Sequence, residues 1–306
     1  MLSFVIPVFN EADNIDYLFE QFSDLWKQND CELIFVNDGS SDETREKLRA
    51  QKLAFPKMKI VNLSRNFGKD RALSAGLSVV QAGSSIVAMD GDGQHSAEAV
   101  SKLIEFLAHN SDVDIVFGTR KDRRYKSRAG AGSAKLLYRL LNLDTSRYKI
   151  RDDIGDFFIA RSNVTEAFKK YDSNRPFWKG YYGYAGFNQA NVEIDIAPRQ
   201  NGETKFGIRR RLSLAADSLV AYAKWPLRLI FLSGLFISLI SAAILIYLIA
   251  NYLLTRQTSD GFYTIVVLQL LFGGFTLICL GVMAEYIGMI RDDVSVKPSF
   301  IIRNIE

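Results

Sequence analysis

Short apolar runs alternate with polar turns along the first part of the chain, and two very long apolar runs lie near its end. Phe4–Val8, Glu32–Val36, Met58–Leu63, Ser85–Met89 and Val113–Phe117 read as strands buried on both faces of a sheet. Between the first two, Ile15, Leu18, Phe19, Phe22 and Leu25 recur at spacings of three and four and predict an amphipathic helix. Ser41 or Asp42 is placed to cap a second helix, and small residues predict a third over Arg71–Gln81. Strand, turn and helix repeating in this way argue a doubly wound, mostly parallel α/β sheet. Right-handed crossovers then bring the carboxyl ends of the strands to one edge.

That edge collects the chemistry. Glu11, Asn37 with Asp38, Lys69, Asp90 with Asp92, and Arg120 all follow strands. In Asp90-Gly91-Asp92-Gly93-Gln94 two carboxylates stand one residue apart on a turn, able to offer hard oxygens to a divalent cation that holds a diphosphate, with Gln94 as a further oxygen. The plainer alternative is a solvated polar turn. No Gly-x-Gly-x-x-Gly follows the first strand and no Gly-Lys-Ser/Thr loop is present, which demotes hydride transfer and P-loop hydrolysis.

Beyond Arg120 the chain is basic and rich in small residues, with a helix expected over Ala134–Leu143 and another over Asn163–Lys170. Phe177, Trp178, Tyr181, Tyr182, Tyr184 and Phe187 suit either packing or the lining of a sugar or lipid site. Asn191–Ile196 alternates like an edge strand, and Arg199–Phe206 is a polar loop carrying Arg199 and Lys205. Ile208–Lys224 has one apolar face behind Arg209–Arg211, the pattern of a helix lying on a membrane surface. Leu229–Leu254 and Gly261–Ala284 contain no charged residue, and each exceeds the roughly 20 residues that span a bilayer. Cations before the first run and after the second put both chain ends in the cytoplasm. The chain has 306 residues, 48% hydrophobic, with a net charge of +4. Its two cysteines suggest neither a disulfide framework nor a zinc site.

Taken together, Val5-Ile6-Pro7-Val8-Phe9-Asn10-Glu11, Val36-Asn37-Asp38-Gly39-Ser40, Leu63-Ser64-Arg65-Asn66-Phe67-Gly68-Lys69, Asp90–Gln94, Gly155-Asp156-Phe157, Arg199-x-x-Gly202-x-Thr204-Lys205-Phe206, Pro226-Leu227-Arg228 and Glu285-Tyr286-Ile287-Gly288 resemble, in order, a membrane-anchored family 2 glycosyltransferase of the polyisoprenyl-phosphate type. Dolichyl-phosphate mannose synthases and bactoprenol glucosyltransferases are of this kind. The resemblance implies a glycosyltransferase A-type sheet, amphipathic juxtamembrane helices and a two-helix transmembrane hairpin. The expected organisation is a cytosolic nucleotide-sugar-binding catalytic domain over 1–206 and a juxtamembrane region over 207–228. Two spans lie within 229–290, followed by a cytosolic tail over 291–306.

It further implies that Pro7, Glu11, Asn37 and Asp38 border the nucleoside of the donor and that Asp90 lies near its ribose and phosphates. Asp92 and Gln94, with Asp90 beside them, would hold Mg2+ or Mn2+. Lys69, Arg120, Arg199 and Lys205 would meet phosphates of donor or acceptor. Asp156 is the candidate base or acceptor-side orienter, its alternative being a cap of the following turn. The implied reaction is inverting transfer of a hexose, from UDP-glucose or a related UDP-sugar, to polyprenyl phosphate at the inner or plasma membrane. The implied protein is a homo-oligomer with a membrane flippase among its partners and no nucleic acid. Several positions depart from the family pattern: Phe9 stands for Tyr, Asn37 for Asp, His95-Ser96 for a pair ending in Pro, and Phe158 for Arg. A processive polysaccharide synthase and a non-catalytic nucleotide-sugar-binding scaffold are the rival readings.

Overall fold

Eight strands form one sheet in the order β7-β5-β6-β4-β1-β2-β3-β8. In chain order these are β1 (Leu2–Val8), β2 (Glu32–Asn37), β3 (Met58–Leu63), β4 (Ser85–Ala88), β5 (Ile115–Arg120), β6 (Phe158–Ala160), β7 (Gln189–Ile194) and β8 (Ile302–Ile305). The structure is a computed structural model that describes residues 1–28, 31–121, 138–139, 142, 149–171, 173, 176–195, 225–255, 261–294 and 297–306. The expected helices over Ala134–Leu143 and Ile208–Lys224 lie outside these residues wholly or in large part.

Successive side chains of a strand face opposite sides of the sheet, and both sides are covered. Phe4, Ile6, Val8, Leu33, Phe35, Val87 and Val116 face a core shared with α1 (Ala12–Gln28), α2 (Thr44–Lys52) and α4 (Ala97–His109). Val5, Ile34, Val36, Val61, Ile86, Ile115 and Phe117 face the other, shared with α3 (Lys69–Ser78), α5 (Ser162–Lys169) and α6 (Trp178–Ala185). Burial on both faces explains why the strands read as unbroken apolar runs rather than alternating ones.

The sheet is mixed. The pairs β1–β2, β1–β4, β2–β3 and β5–β7 are parallel, whereas β6 runs antiparallel to both β4 and β5, and β8 antiparallel to β3. Neither β6 nor β8 is expected from the sequence pattern. Phe158-Ile159-Ala160 is too short to show a period and runs directly into α5. Its partners are long-range, and only the fold supplies them. The aromatic stretch proves largely to be core: Trp178 and Tyr182 of α6 are fully buried among Phe117, Phe158 and Phe168, while Tyr184 remains exposed.

The chain divides into two units, one formed by Met1–Tyr138, Arg147–Phe206 and Val296–Glu306, the other by Arg139–Ser146 and Gly207–Ser295. The second contains the long helices α7 (Trp225–Thr255) and α8 (Phe262–Val294). Phe231, Phe236, Leu239, Ile246, Leu277 and Ile278 project from them exposed. Among the described residues one stretch, Leu271–Gly288, is long and apolar enough to cross a bilayer, and none of it is buried.

Candidate active site

The loops leaving β1, β2 and β3 are stitched to one another by side chains. Asn10 adopts a left-handed conformation, φ 53°, which asparagine tolerates better than most residues. Its amide N–H donates to Ser40 Oγ at 3.0 Å and its Oδ1 accepts the Ser41 N–H at 2.9 Å. Glu11 donates its N–H to Thr44 Oγ1 at 2.9 Å, and its carboxylate accepts Asn14 Nδ2 at 2.5 Å. Asp38 is buried, and its carboxylate accepts the N–H groups of Phe67 at 2.7 Å and Gly68 at 2.9 Å. Burial pushes its carboxyl above the usual range, opposed by those two N–H donors. Gly39 is required between them. Its φ is +68°, and a Cβ there would stand 2.5 Å from the backbone carbonyl carbon of Arg65. Pro7 stands near the end of β1, and Asn37 closes β2 in register with Val8.

Beside this nest lies a charged cluster. Lys69 opens α3, and its Nζ stands 2.6 Å from Asp90 and 2.7 Å from Asp156. Burial works against the Lys69 ammonium, but the Asp90 and Asp156 carboxylates outweigh it and raise its pKa. Burial likewise opposes ionisation of Asp156, and Lys69 more than compensates, holding its carboxyl below the usual range. Asp70 is pushed the other way, up to about 6, by burial and by the negative charge of Asp156. Asp92 accepts the Gln94 N–H at 3.2 Å. His95 stacks on Phe157 with ring centroids 4.1 Å apart, and burial lowers its pKa against the pull of Asp90 and Asp92. Arg120 closes β5 and is exposed.

The structure therefore brings Lys69, Asp90 and Asp156 into direct contact and sets Asp92 and Gln94 on the same turn as Asp90. It ties Glu11, Asn37 and Asp38 into the adjoining loops. Arg199 and Lys205 lie outside the described residues. Among those described, no group of three or more His, Cys, Asp and Glu could hold a metal ion by itself. The donor set of Asp92, Asp90 and Gln94 nonetheless fits a small hard cation, which takes one or two carboxylates and completes its shell with water and phosphate oxygens.

Sequence reading passes over three groups that the geometry adds. Asp70 follows Lys69 directly and carries the most displaced carboxyl of the cluster. Lys179 of α6 contributes positive charge to both Asp70 and Asp156. Asn62 of β3 is buried against Asn37. Asp70 and Asn62 fall at strand and helix ends like the residues that were found, which is the signal that could have exposed them. Lys179 has no such signal, because only tertiary packing brings α6 here.

The chain is similar along its whole length to known transferases. It is 33% identical to an uncharacterized glycosyltransferase of Synechocystis sp. over 99% of this chain and 95% of that protein. It is 32% identical to the bactoprenol glucosyl transferase of Shigella phage SfV over 99% of this chain and 98% of that protein. Among solved structures, a mycobacterial protein is similar in fold, with a TM-score of 0.50 at 17% identity over 72% of each chain. Residues 3–168 match the profile of glycosyl transferase family 2, spanning the strand ends that carry Pro7, Asp38, Lys69, Asp90, Asp92 and Asp156. The chain belongs to glycosyl transferase family 2 and is a glycosyltransferase.

Proposed function

We propose that the protein transfers a hexose, from UDP-glucose or a related UDP-sugar, to polyprenyl phosphate at the cytosolic membrane face, inverting the anomeric configuration. The observation that carries the reading is the Lys69 ammonium shared between Asp90 and Asp156. It joins the carboxylate turn proposed for the donor diphosphate to the residue proposed for the acceptor side. The end-to-end likeness to a bactoprenol glucosyl transferase supplies the acceptor class.

In this reading the turn after β2 and the loops tied to it receive the nucleoside, bordered by Pro7, Glu11, Asn37 and Asp38. Asp90 adjoins the ribose and phosphates, and Arg120, Arg199 and Lys205 supply further cationic contacts. Asp92 and Gln94 would hold Mg2+ or Mn2+, whose chemistry when bound is to neutralise charge on the departing diphosphate. A phosphate oxygen of the acceptor forms the new bond to the anomeric carbon. The bond from that carbon to the donor diphosphate breaks, and its electron pair leaves with the nucleoside diphosphate. The acceptor phosphate is already ionised near neutral pH, so no strong base is needed. Asp156, held ionised by Lys69, is a poor base and suits the part of orienter. Lys69 keeps the two carboxylates at a fixed separation and draws the anionic groups together.

Both α7 and α8 are proposed to span the membrane. Leu271–Gly288 qualifies by length and apolarity, and Leu229–Leu254 is uncharged throughout. The first unit includes residues up to Phe206 and again from Val296, and within it β8 pairs with β3. A chain that leaves and rejoins one folded domain crosses a bilayer an even number of times. A lone crossing by α8 would put β8 and β3 on opposite sides. A homo-oligomer and a flippase partner remain part of the proposal.

The test is to incubate detergent-purified protein with polyprenyl phosphate, Mn2+ and radiolabelled UDP- and GDP-sugars, then extract the lipid. Label in the organic phase, lost with EDTA and in Asp92→Ala, supports the reading and names the donor. No lipid label with any donor, despite nucleotide-sugar binding, overturns it in favour of a scaffold. Label in a long water-soluble polymer overturns it in favour of a polysaccharide synthase.

A further inference from the structure

Val8, Asn37, Asn62 and Asn304 lie side by side across β1, β2, β3 and β8. Three neighbouring asparagines run from the buried strands β2 and β3 to the edge strand β8, and each amide must choose which end faces which neighbour. Ser40 N–H donates to Asn37 Oδ1 at 2.9 Å, and Asn37 Nδ2 donates to Asn62 Oδ1 at 3.0 Å. Asn62 Nδ2 then donates to Glu306 Oε1 at 3.0 Å. Asn37 and Asn62 are 4% and 3% exposed, so water is a poor substitute for any partner lost from this row.

We infer that Glu306, which follows β8, is a positioning residue for the nucleoside-binding turn, acting through Asn62 on Asn37. The inference rests on the proposed role of Asn37 beside the donor's nucleoside. An ionised carboxylate only accepts, so Asn62 must turn its NH2 toward Glu306 and its carbonyl toward Asn37. Asn37 must then offer its NH2 to Asn62, which leaves its carbonyl oxygen to close the turn through Ser40. One carboxylate therefore sets the direction of two amides and the polar pattern that the turn presents.

Glu306 is itself anchored from several sides. Its backbone N–H and C=O pair with Ile60 at 3.0 Å each. Its carboxylate accepts Arg45 Nη2 at 2.5 Å, Arg49 Nη2 and Asn304 Nδ2 at 2.9 Å each, and also Arg49 Nε. The Asn304 amide obeys the same rule, turning its NH2 to Glu306, although this leaves its Oδ1 buried without a partner among the described residues. The two arginines come from α2, which begins beyond the same turn. The relay thus joins β8 to the loop between β2 and α2 from both sides.

An aspartate at position 37 would set an acceptor against the Asn62 carbonyl, and Asn62 could not reverse while Glu306 is an acceptor. The oxygen Asn62 meets, Oε1, also accepts from Arg45, Arg49 and Asn304, so a glutamine at 306 turns its NH2 to Asn62 by rotating its amide and leaving those donors to its one remaining oxygen. The experiment uses the full-length protein in detergent and measures UDP affinity by calorimetry and, with polyprenyl phosphate, KM for the donor and kcat. Asn37→Asp is expected to weaken UDP binding and raise donor KM about tenfold, the scale of a buried hydrogen-bonding conflict. Glu306→Gln alone stays within about twofold, and Glu306→Leu loses about tenfold in donor KM with kcat little changed. The Asn37→Asp/Glu306→Gln double variant recovers most of what Asn37→Asp loses. Such rescue cannot come from structural damage, because damage does not improve when a second change is added. A double variant no better than Asn37→Asp overturns the inference while leaving the donor-site reading intact. Wild-type protein that binds no nucleoside diphosphate overturns both.

Discussion

Lys69 and Asp156 stand 87 positions apart in the chain and 2.7 Å apart in the structure. Their contact, completed by Asp90 at 2.6 Å from the same ammonium, makes the lysine the shared counter-ion of two turns that enter the site from different strands. Removing it leaves two carboxylates facing each other in a half-buried setting. Lys69→Met is therefore expected to reduce kcat/KM by roughly a hundredfold, the scale seen when one preorganised charged donor is lost from a site. Glycosyl-lipid formation at a range of donor concentrations checks this. A variant within threefold of wild type removes Lys69 from the machinery.

Gly39 offers a test on the donor side. Its φ of +68° lies where L-residues are strained, and a Cβ would meet the Arg65 carbonyl carbon at 2.5 Å. Gly39→Ala must move the β2 turn away from the β3 loop and loosen the two N–H bonds that Asp38 accepts there. The expectation is a donor KM raised about tenfold, from about 1–2 kcal/mol of backbone strain plus the displaced turn, with kcat falling less. Calorimetry with UDP separates the outcomes, since unchanged affinity would mean that this turn does not receive the nucleotide.

The strand ends were legible because their physics is local. An apolar run that stops abruptly in Asn37-Asp38 or Asp90-Gly91-Asp92 shows both where the strand ends and where chemistry can collect. What could not be read were partners brought together by topology. β6 is three residues long, and β8 is recognisable only by its pairing with β3. Asp156 could be singled out, but nothing near it in the chain points to Lys69. The aromatic run around Trp178 and Tyr182 looked as suitable for a ligand as for a core, and burial decided for the core. Apolarity also marked the two long helices, while the return of the chain to the sheet in β8 left no local trace.

Glu306 carries a pH signature. Hydrogen bonds from Arg49, and then from Arg45 and Asn304, lower its pKa from 4.5 to about 2 against the opposing effect of burial. A carboxyl depressed on folding adds stability that is fully present above its unfolded pKa and fades as pH falls through the folded one. The stabilisation from Glu306 is thus expected to hold at neutral pH and to disappear between about pH 4.5 and 2. Amide hydrogen exchange at Ile60 and Ile305, compared between wild type and Glu306→Gln, tests the sign. The protection gap should narrow as pH falls through that window, and a gap that widens on acidification contradicts the assignment.

Glu32 lies at the other end of the sheet and predicts the reverse separation of stability from function. It opens β2, and its buried carboxylate accepts Ser3 Oγ at 2.6 Å, Lys59 Nζ at 2.6 Å and the Gln81 N–H at 3.2 Å. These partners come from β1, β3 and the end of the segment after α3, so one side chain ties together the amino-terminal margins of three strands. Truncation strands the buried Ser3 hydroxyl, while exposed Gln81 and the partly exposed Lys59 can turn to water. Glu32→Ala is expected to cost about 1–3 kcal/mol, the scale of one unpaired buried polar group, and to lower the melting temperature of the protein in detergent. The site gathers at the carboxyl ends of the strands, so kcat and donor KM at a permissive temperature should stay within twofold of wild type. Loss of activity without loss of melting temperature would show that the amino-terminal margin of the sheet takes part in the reaction.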